Sequence, residues 1–279
     1  MKYSFRILLS LLVALSFNTH AQKLELKWRT DSLLRVPESV LFDAGKKVLY
    51  VANIDGKPDG KDGEGFISKV GLNGKIENLK WVTGLDAPKG LGLFGSNLYV
   101  ADISRVVIIN IQSGKITNKI EIEGAEFLND ITIDKKGTVY VSDTGTGKIY
   151  TLRNNKPELY FDSKEFKGVN GLFALPQELY IVDFGTGINY KLSADKNLVK
   201  FGTTSEGADG VVPVGNGDFL VSSWHGEVFY VTAQGQATKL LDTKDKKISA
   251  ADIEFDPKSK MLFIPTFFSN TVDAYQLLK

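Results

Sequence analysis

Along the 279 residues one alternation of polar and apolar positions returns six times. A polar residue opens a short apolar stretch. A turn follows, then a β-branched or aromatic strand, then a polar turn and another strand. The copies read PESVLFDAGKKVLYVAN, PKGLGLFGSNLYVAD, LNDITIDKKGTVYVSD, VNGLFALPQELYIVD, ADGVVPVGNGDFLVSS and AADIEFDPKSKMLFIPT. Their aligned second positions are Glu38, Lys89, Asn129, Asn170, Asp209 and Ala251, at successive spacings of 51, 40, 41, 39 and 42. Strand-like alternation repeating near 40 residues, punctuated by Gly, Asn, Asp and Lys turns, is what four-stranded blades look like. No amphipathic helical stretch competes, a β-sandwich would lack the fixed period, and there is no seventh copy. The pattern predicts an all-β, six-bladed β-propeller.

The last repeat offers three strands, near Ile253–Phe255, Met261–Pro265 and Thr271–Leu277, and ends one strand short. Leu24–Arg29 alternates and has no blade of its own. It is expected to supply the missing outer strand, which removes edges that would otherwise template aggregation.

In such a blade the first strand lies innermost. Its start and the turn after the second strand reach the same face of the ring. The six aligned positions should therefore converge on one mouth of the channel. So should Ile103–Arg105, Thr144–Gly147, Phe184–Gly187, Trp224–Gly226 and Phe267–Asn270. In the first repeat that turn is a long insertion, Asn53–Phe66, which explains the 51-residue spacing. Loops of that length tend to be functional or mobile. Its acids, Asp55, Asp59, Asp62 and Glu64, fit no EF-hand spacing, so it reads as a solvated turn.

Glu38, Asn129, Asn170 and Asp209 would present oxygen acceptors to a common axis, with Lys89 among them. Carboxylates buried that close together are costly unless paired or metal-bound. A hard cation such as Ca²⁺ takes six to eight oxygens from carboxylates, amide carbonyls and water. The residues allow either a cation site or Asn and Asp side chains that merely cap turns at strand starts.

Lys2 and Arg6, an apolar run from Ile7 to Phe17 and the small-x-small exit Thr19-His20-Ala21 form a secretory signal pattern. Residues 1–21 are expected to be removed, leaving 22–279 as a single propeller domain exported to the periplasm or the medium. The run is short for a bilayer span, which takes ~20 residues. The formal net charge falls from +1 to −1 when Lys2 and Arg6 leave. A near-neutral chain gives no electrostatic case for nucleic acid or an anionic membrane. A monomer with a small-molecule ligand is the expectation. Zero cysteines exclude disulfides, thiolate catalysis and Cys-ligated zinc. The one histidine after residue 21, His225, excludes a three-His zinc site, and no G-x-S-x-G turn accompanies it. Trp224-His225 could line a substrate pocket. Gly145–Lys148 reads GTGK but lacks the upstream Gly and following Ser/Thr of a P-loop.

The order of Glu38 in PES-V, Asn129-Asp130 in FLND, Asn170-Gly171 in VNGL and Asp209-Gly210 in ADGV resembles the senescence-marker-protein, gluconolactonase and luciferin-regenerating-enzyme family. The resemblance covers nearly all of residues 22–279 and rests on short motifs in a fixed order. It implies a six-bladed propeller with one divalent cation, usually Ca²⁺, in the channel, and hydrolysis of sugar lactones or organophosphates. It assigns metal ligation to Glu38, Asn170 and Asp209, and contact with substrate or metal-bound water to Asn129, beside Asp130. Asp209 becomes the candidate general base, and Trp224, His225 and Phe268 would shape the substrate pocket. Phe127 stands where the family's sugar-lactone members carry Arg, and Ile131 where Gly usually follows the Asn-Asp pair. Lys89 could stabilise a developing oxyanion, or neutralise Glu38 and displace the metal. Two functions stay open: an exported metal-dependent hydrolase of a lactone or ester, and a non-catalytic propeller that binds a small molecule, glycan or protein at the same mouth.

Overall fold

In the computed structural model, which describes residues 22–279, six four-stranded antiparallel sheets form the six blades of a propeller. Blade one comprises β2 (Pro37–Asp43), β3 (Val48–Asn53), β4 (Gly65–Gly71) and β5 (Ile76–Leu85). Blade two comprises β6 (Pro88–Phe94), β7 (Asn97–Asp102), β8 (Arg105–Asn110) and β9 (Lys115–Glu121). Blade three runs β10 (Leu128–Ile133), β11 (Val139–Asp143), β12 (Lys148–Arg153), β13 (Lys156–Asp162). Blade four runs β14 (Val169–Ala174), β15 (Glu178–Asp183), β16 (Ile188–Ser193), β17 (Leu198–Thr203). Blade five runs β18 (Ala208–Gly215), β19 (Asp218–Ser223), β20 (Glu227–Val231), β21 (Ala237–Asp242). Blade six takes β22 (Glu254–Asp256), β23 (Met261–Pro265) and β24 (Val272–Leu278), then β1 (Lys23–Arg29) as its outer strand. The expected closure is present. β1 pairs antiparallel with β24 from Lys23↔Leu278 to Arg29↔Asp273, and Arg29 grips the buried Asp273 carboxylate with two hydrogen bonds of 2.6 and 2.5 Å.

Middle strands such as β3 (VLYVAN) and β8 (RVVIIN) are buried along most of their length, because neighbouring blades cover both of their faces. Outer strands such as β9 and β13 are largely exposed. Between blades the apolar residues form separate clusters, for example Tyr50, Ile67, Leu98 and Val107 between blades one and two. The expected signal peptide lies outside the described residues. No helix among the described residues is long and apolar enough to cross a membrane.

Two repeated devices place the channel residues. The first is an acid at the end of the second strand. Asp102 accepts hydrogen bonds from the Asp86 and Ala87 amides, Asp143 from those of Glu126 and Phe127, and Asp183 from those of Lys167 and Gly168. These buried carboxylates tie down the segment that leads into each inner strand, satisfying amides that water cannot reach. The repeated VAD, VSD and IVD endings are therefore structural.

The second device is a break in pairing at the start of the inner strand. The register skips from Pro37 to Ser39, Pro88 to Leu91, Leu128 to Ile131, Val169 to Leu172 and Ala208 to Val211. The skipped residues include Glu38, Lys89, Asn129, Asn170 and Asp209. A bulge frees residues from the ladder and re-aims their side chains. The freed amides still find partners: Asp130 N–H donates to Ser142 Oγ and Gly210 N–H to Ser222 Oγ. Where the bulge carries a second residue it is often glycine, for lack of room. A Cβ on Gly171 would lie 2.1 Å from the Asp209 carbonyl oxygen, and one on Gly90 2.5 Å from Asp130 Cα.

Candidate functional site

The five bulge residues Glu38, Lys89, Asn129, Asn170 and Asp209 form the floor of one cavity of about 360 Å³ at the channel mouth. The sixth aligned position, Ala251, is buried in the apolar cluster beside it. Five aromatic rings make most of the wall: Phe127, Phe184, Trp224, Phe267 and Phe268. Ile54 and Pro58, both from the Asn53–Phe66 insertion, complete it. That insertion is thus part of the site, and Lys61 anchors it across to Ser104 at 3.0 Å.

Glu38, Asn170 and Asp209 are 5 %, 2 % and 3 % exposed. Asn170 Nδ2 donates to Asp209 Oδ1 at 3.2 Å, which leaves the amide oxygen free. That oxygen and Glu38 Oε2 are both buried without a hydrogen-bond partner among the described residues. Such atoms forfeit about 1–3 kcal/mol each unless a ligand satisfies them. Burial, with Asp209 as a like-charged neighbour, holds the Glu38 carboxyl well above its ordinary range against the opposing pull of Lys89. The Asp209 carboxyl is raised for the same first reason, with Asp252 and Asp130 adding to it and Asn170 opposing. This is the electrostatic condition of a site short of positive charge. Among the described residues no three His, Cys, Asp or Glu side chains gather as a metal-ligand set; the donors here are two carboxylates and an amide oxygen.

Lys89 does not pair with Glu38. Its Nζ donates to the carbonyls of Pro58 (2.7 Å) and Ala87 (3.0 Å) and sits 4.3 Å from the centre of the Phe127 ring. Burial pulls its pKa below the usual lysine value, while Glu38, Asp102 and Asp59 push it back up. The ammonium is therefore held to one side of the floor by the insertion, and the Glu38 oxygens are left open.

The remaining sequence candidates separate. Asn129 lies on the floor and donates to Thr144 Oγ1 at 3.2 Å. Trp224 and Phe268 are in the wall. Asp130 is not brought to this cavity. The bulge turns it to the far half of the channel, where its oxygens accept the Ile131 and Leu172 amides at 2.6 Å. His225 is exposed and outside the cavity, packed over Gly207 with its ring 6.4 Å from Phe184. Sequence reasoning gave no wall role to Ile54, Pro58, Phe127, Phe184 or Phe267. The expected turns contained Ile54, Pro58, Phe184 and Phe267, and that was the available signal.

In the far half Asp130 is joined by Asp252, Glu254 and Asp43 in lining a second cavity of about 460 Å³. Asp252 accepts Ser39 Oγ at 2.6 Å, and Glu254 the Phe255 amide at 2.8 Å. Burial lifts the Asp252 and Glu254 carboxyls to about 7.

No protein-family model matches the chain, and no curated protein matches it in sequence. Solved structures do match in shape. A gluconolactonase from Xanthomonas campestris has a TM-score of 0.69 at 16 % identity, covering 88 % of this chain and 87 % of its own. A streptogramin B lyase gives 0.67 at 12 % identity, covering 92 % and 98 %. A catalytically inactive virginiamycin B lyase from Staphylococcus aureus, determined with quinupristin, gives 0.65 at 14 % identity, covering 92 % and 100 %. At these identities the likeness establishes a fold shared with a gluconolactonase and with lyases, a six-bladed β-propeller, and nothing narrower.

Proposed function

We propose that the protein is a divalent-metal-dependent hydrolase of a lactone or ester. The observation that carries this reading is the pair of unpartnered, buried oxygens on Glu38 and Asn170, beside the Asp209 carboxylate on one cavity floor. The donor set fits a hard cation, most simply Ca²⁺: two carboxylates, one amide oxygen, and space for water. Glu38, Asn170 and Asp209 would hold it. When bound, such a cation polarises a carbonyl and lowers the pKa of water.

The chain's own groups set the rest. Asn170 fixes Asp209 through Nδ2, so the carboxylate is oriented to take a proton from attacking water. Asn129 offers amide contacts from the same floor. Two of the three Lys89 donors are held by carbonyls, leaving the third for an oxyanion formed at the substrate carbonyl. The aromatic wall excludes water, which strengthens each of these interactions. Lys89 pairing with Glu38 would have favoured a binding-only propeller; that contact is absent. The gluconolactonase neighbour agrees with this reading as fold-level analogy only.

Export to the periplasm or medium belongs to the same proposal and rests on the signal pattern of residues 1–21; a monomer remains the expectation. Calorimetric titration of Ca²⁺ into metal-stripped protein tests the metal site, with Asp209→Ala alongside. One equivalent bound by the wild type and none by the variant is the expected result. No binding by the wild type would leave the binding-only propeller.

A further inference from the structure

The wall of the cavity carries an inference about what enters it. Every side-chain hydrogen-bonding group of the cavity lies on the floor, except the indole N–H of Trp224. A polyhydroxylated ligand needs a partner for each hydroxyl it buries, or it loses that hydroxyl's hydration without return. This wall gives almost none.

The aromatic side is also built to stay in place. Phe267 holds a left-handed backbone at φ 51°, an unfavourable conformation for a bulky residue. Three contacts fix the turn that imposes it: Thr266 Oγ1 to the Thr271 carbonyl at 2.9 Å, the Asn270 amide to the Phe267 carbonyl at 3.0 Å, and the Val36 amide to Asn270 Oδ1 at 2.9 Å. The result sets Phe267 edge-on to Trp224 at 5.4 Å and Phe268 at 5.9 Å from the same indole. Phe268 remains 64 % exposed at the lip. Phe268 packs on Trp224 and Phe267 and carries the apolar wall out to the rim of the pocket, where an apolar group can enter.

We infer that the substrate is a neutral lactone or ester with an aryl or medium-chain alkyl substituent, with its carbonyl on the polar floor and its apolar group against Phe184, Trp224, Phe267 and Phe268. This rests on the hydrolase reading for the reaction, but not for the binding of the apolar group.

The test uses residues 22–279 with Ca²⁺ and compares kcat/KM for a phenyl-substituted δ-lactone and for D-glucono-δ-lactone. A phenyl-substituted δ-lactam, which resists hydrolysis, is titrated in parallel by tryptophan fluorescence. The phenyl lactone is expected to lead by roughly 100-fold, the scale set by burying several apolar carbons against unpartnered hydroxyls. Phe184→Asn should narrow that lead about tenfold, mainly through KM. Phe268→Ser, at an exposed position where folding is not at stake, should weaken lactam binding severalfold. Turnover of gluconolactone equal to or above the phenyl lactone overturns the inference and leaves the hydrolase standing. Lactam binding sensitive to Phe268→Ser, without turnover of either lactone, upholds the apolar site and overturns the hydrolase. Failure to bind the lactam overturns the inference.

Discussion

The two halves of the channel are lined by the same strands and hold similar chemistry, yet only one is left unfinished. In the far half Asp130 and Glu254 each accept two amides and Asp252 a hydroxyl. In the near half Glu38 Oε2 and Asn170 Oδ1 accept nothing from the described residues. The far acids are satisfied by the fold and hold neighbouring blades in register. The near oxygens are satisfied only by something that arrives. A buried acid is thus a poor guide to function until its partners are counted.

The most severe way to break the comparison is to remove the partition between the halves. Gly171→Ala puts a Cβ against the Asp209 carbonyl, at the tightest of the bulge glycines. It is expected to cost more than about 4 kcal/mol, seen as failure to fold or a collapsed thermal melt. An unaffected melt would mean that the inner strands have slack. Next, Asp209→Asn should lower hydrolysis by about 10³-fold or more with the melt of the metal-free protein kept, whereas Asp130→Asn should leave Ca²⁺ affinity within about threefold. If both substitutions weaken Ca²⁺ binding alike, the halves are one site.

Asp130→Ala strands two amides and should destabilise the protein by about 2–3 kcal/mol, several degrees in melting temperature, in the presence or absence of Ca²⁺.

The smallest effect is the pH dependence of the far half. Glu254 and Asp252 have folded-state pKa values raised to about 7 from 4.5 and 3.8. The folded state takes up their protons first. Their contribution is complete at pH below about 4 and is lost as pH rises through about 7. Both are partly open to channel water, which damps the effect to about 1 kcal/mol or less per group. In chelator, the metal-free protein should melt higher at pH 5.5 than at pH 8.5, and Glu254→Gln should flatten that difference. An equal slope in the variant would place the titration elsewhere.

Blade number, strand positions and the closing strand were legible because period and alternation are written directly in the order of residues. β23 begins and ends where the pattern put it, and β22 and β24 each lie one residue further along than expected. Convergence of Glu38, Lys89, Asn129, Asn170 and Asp209 followed from topology alone. What the repeat could not show was the effect of each bulge. Asn129 and Asp130 are adjacent in sequence, yet the skip from Leu128 to Ile131 sends them to opposite halves. The same offset hid Asp252, since the aligned residue of its blade is Ala251. Whether Lys89 meets Glu38 depended on the Pro58 carbonyl, contributed by an insertion with no counterpart in other blades. The wall was hidden because Phe127, Phe184 and Phe267 look like any core aromatic until the ring brings them together.

Closure of blade six has a kinetic consequence. The grip of Arg29 on Asp273 joins residues 244 positions apart, with five complete blades between them. Each of those blades is a run of local hairpins that can form as soon as its own forty residues exist. The ring cannot. Its final seam closes a loop spanning almost the whole molecule, so this step carries the entropy of the longest search in the fold and should be its slow phase. Until then β24 stands as a bare edge, and the unfinished ring has no enclosed channel in which to set the five floor residues against one another.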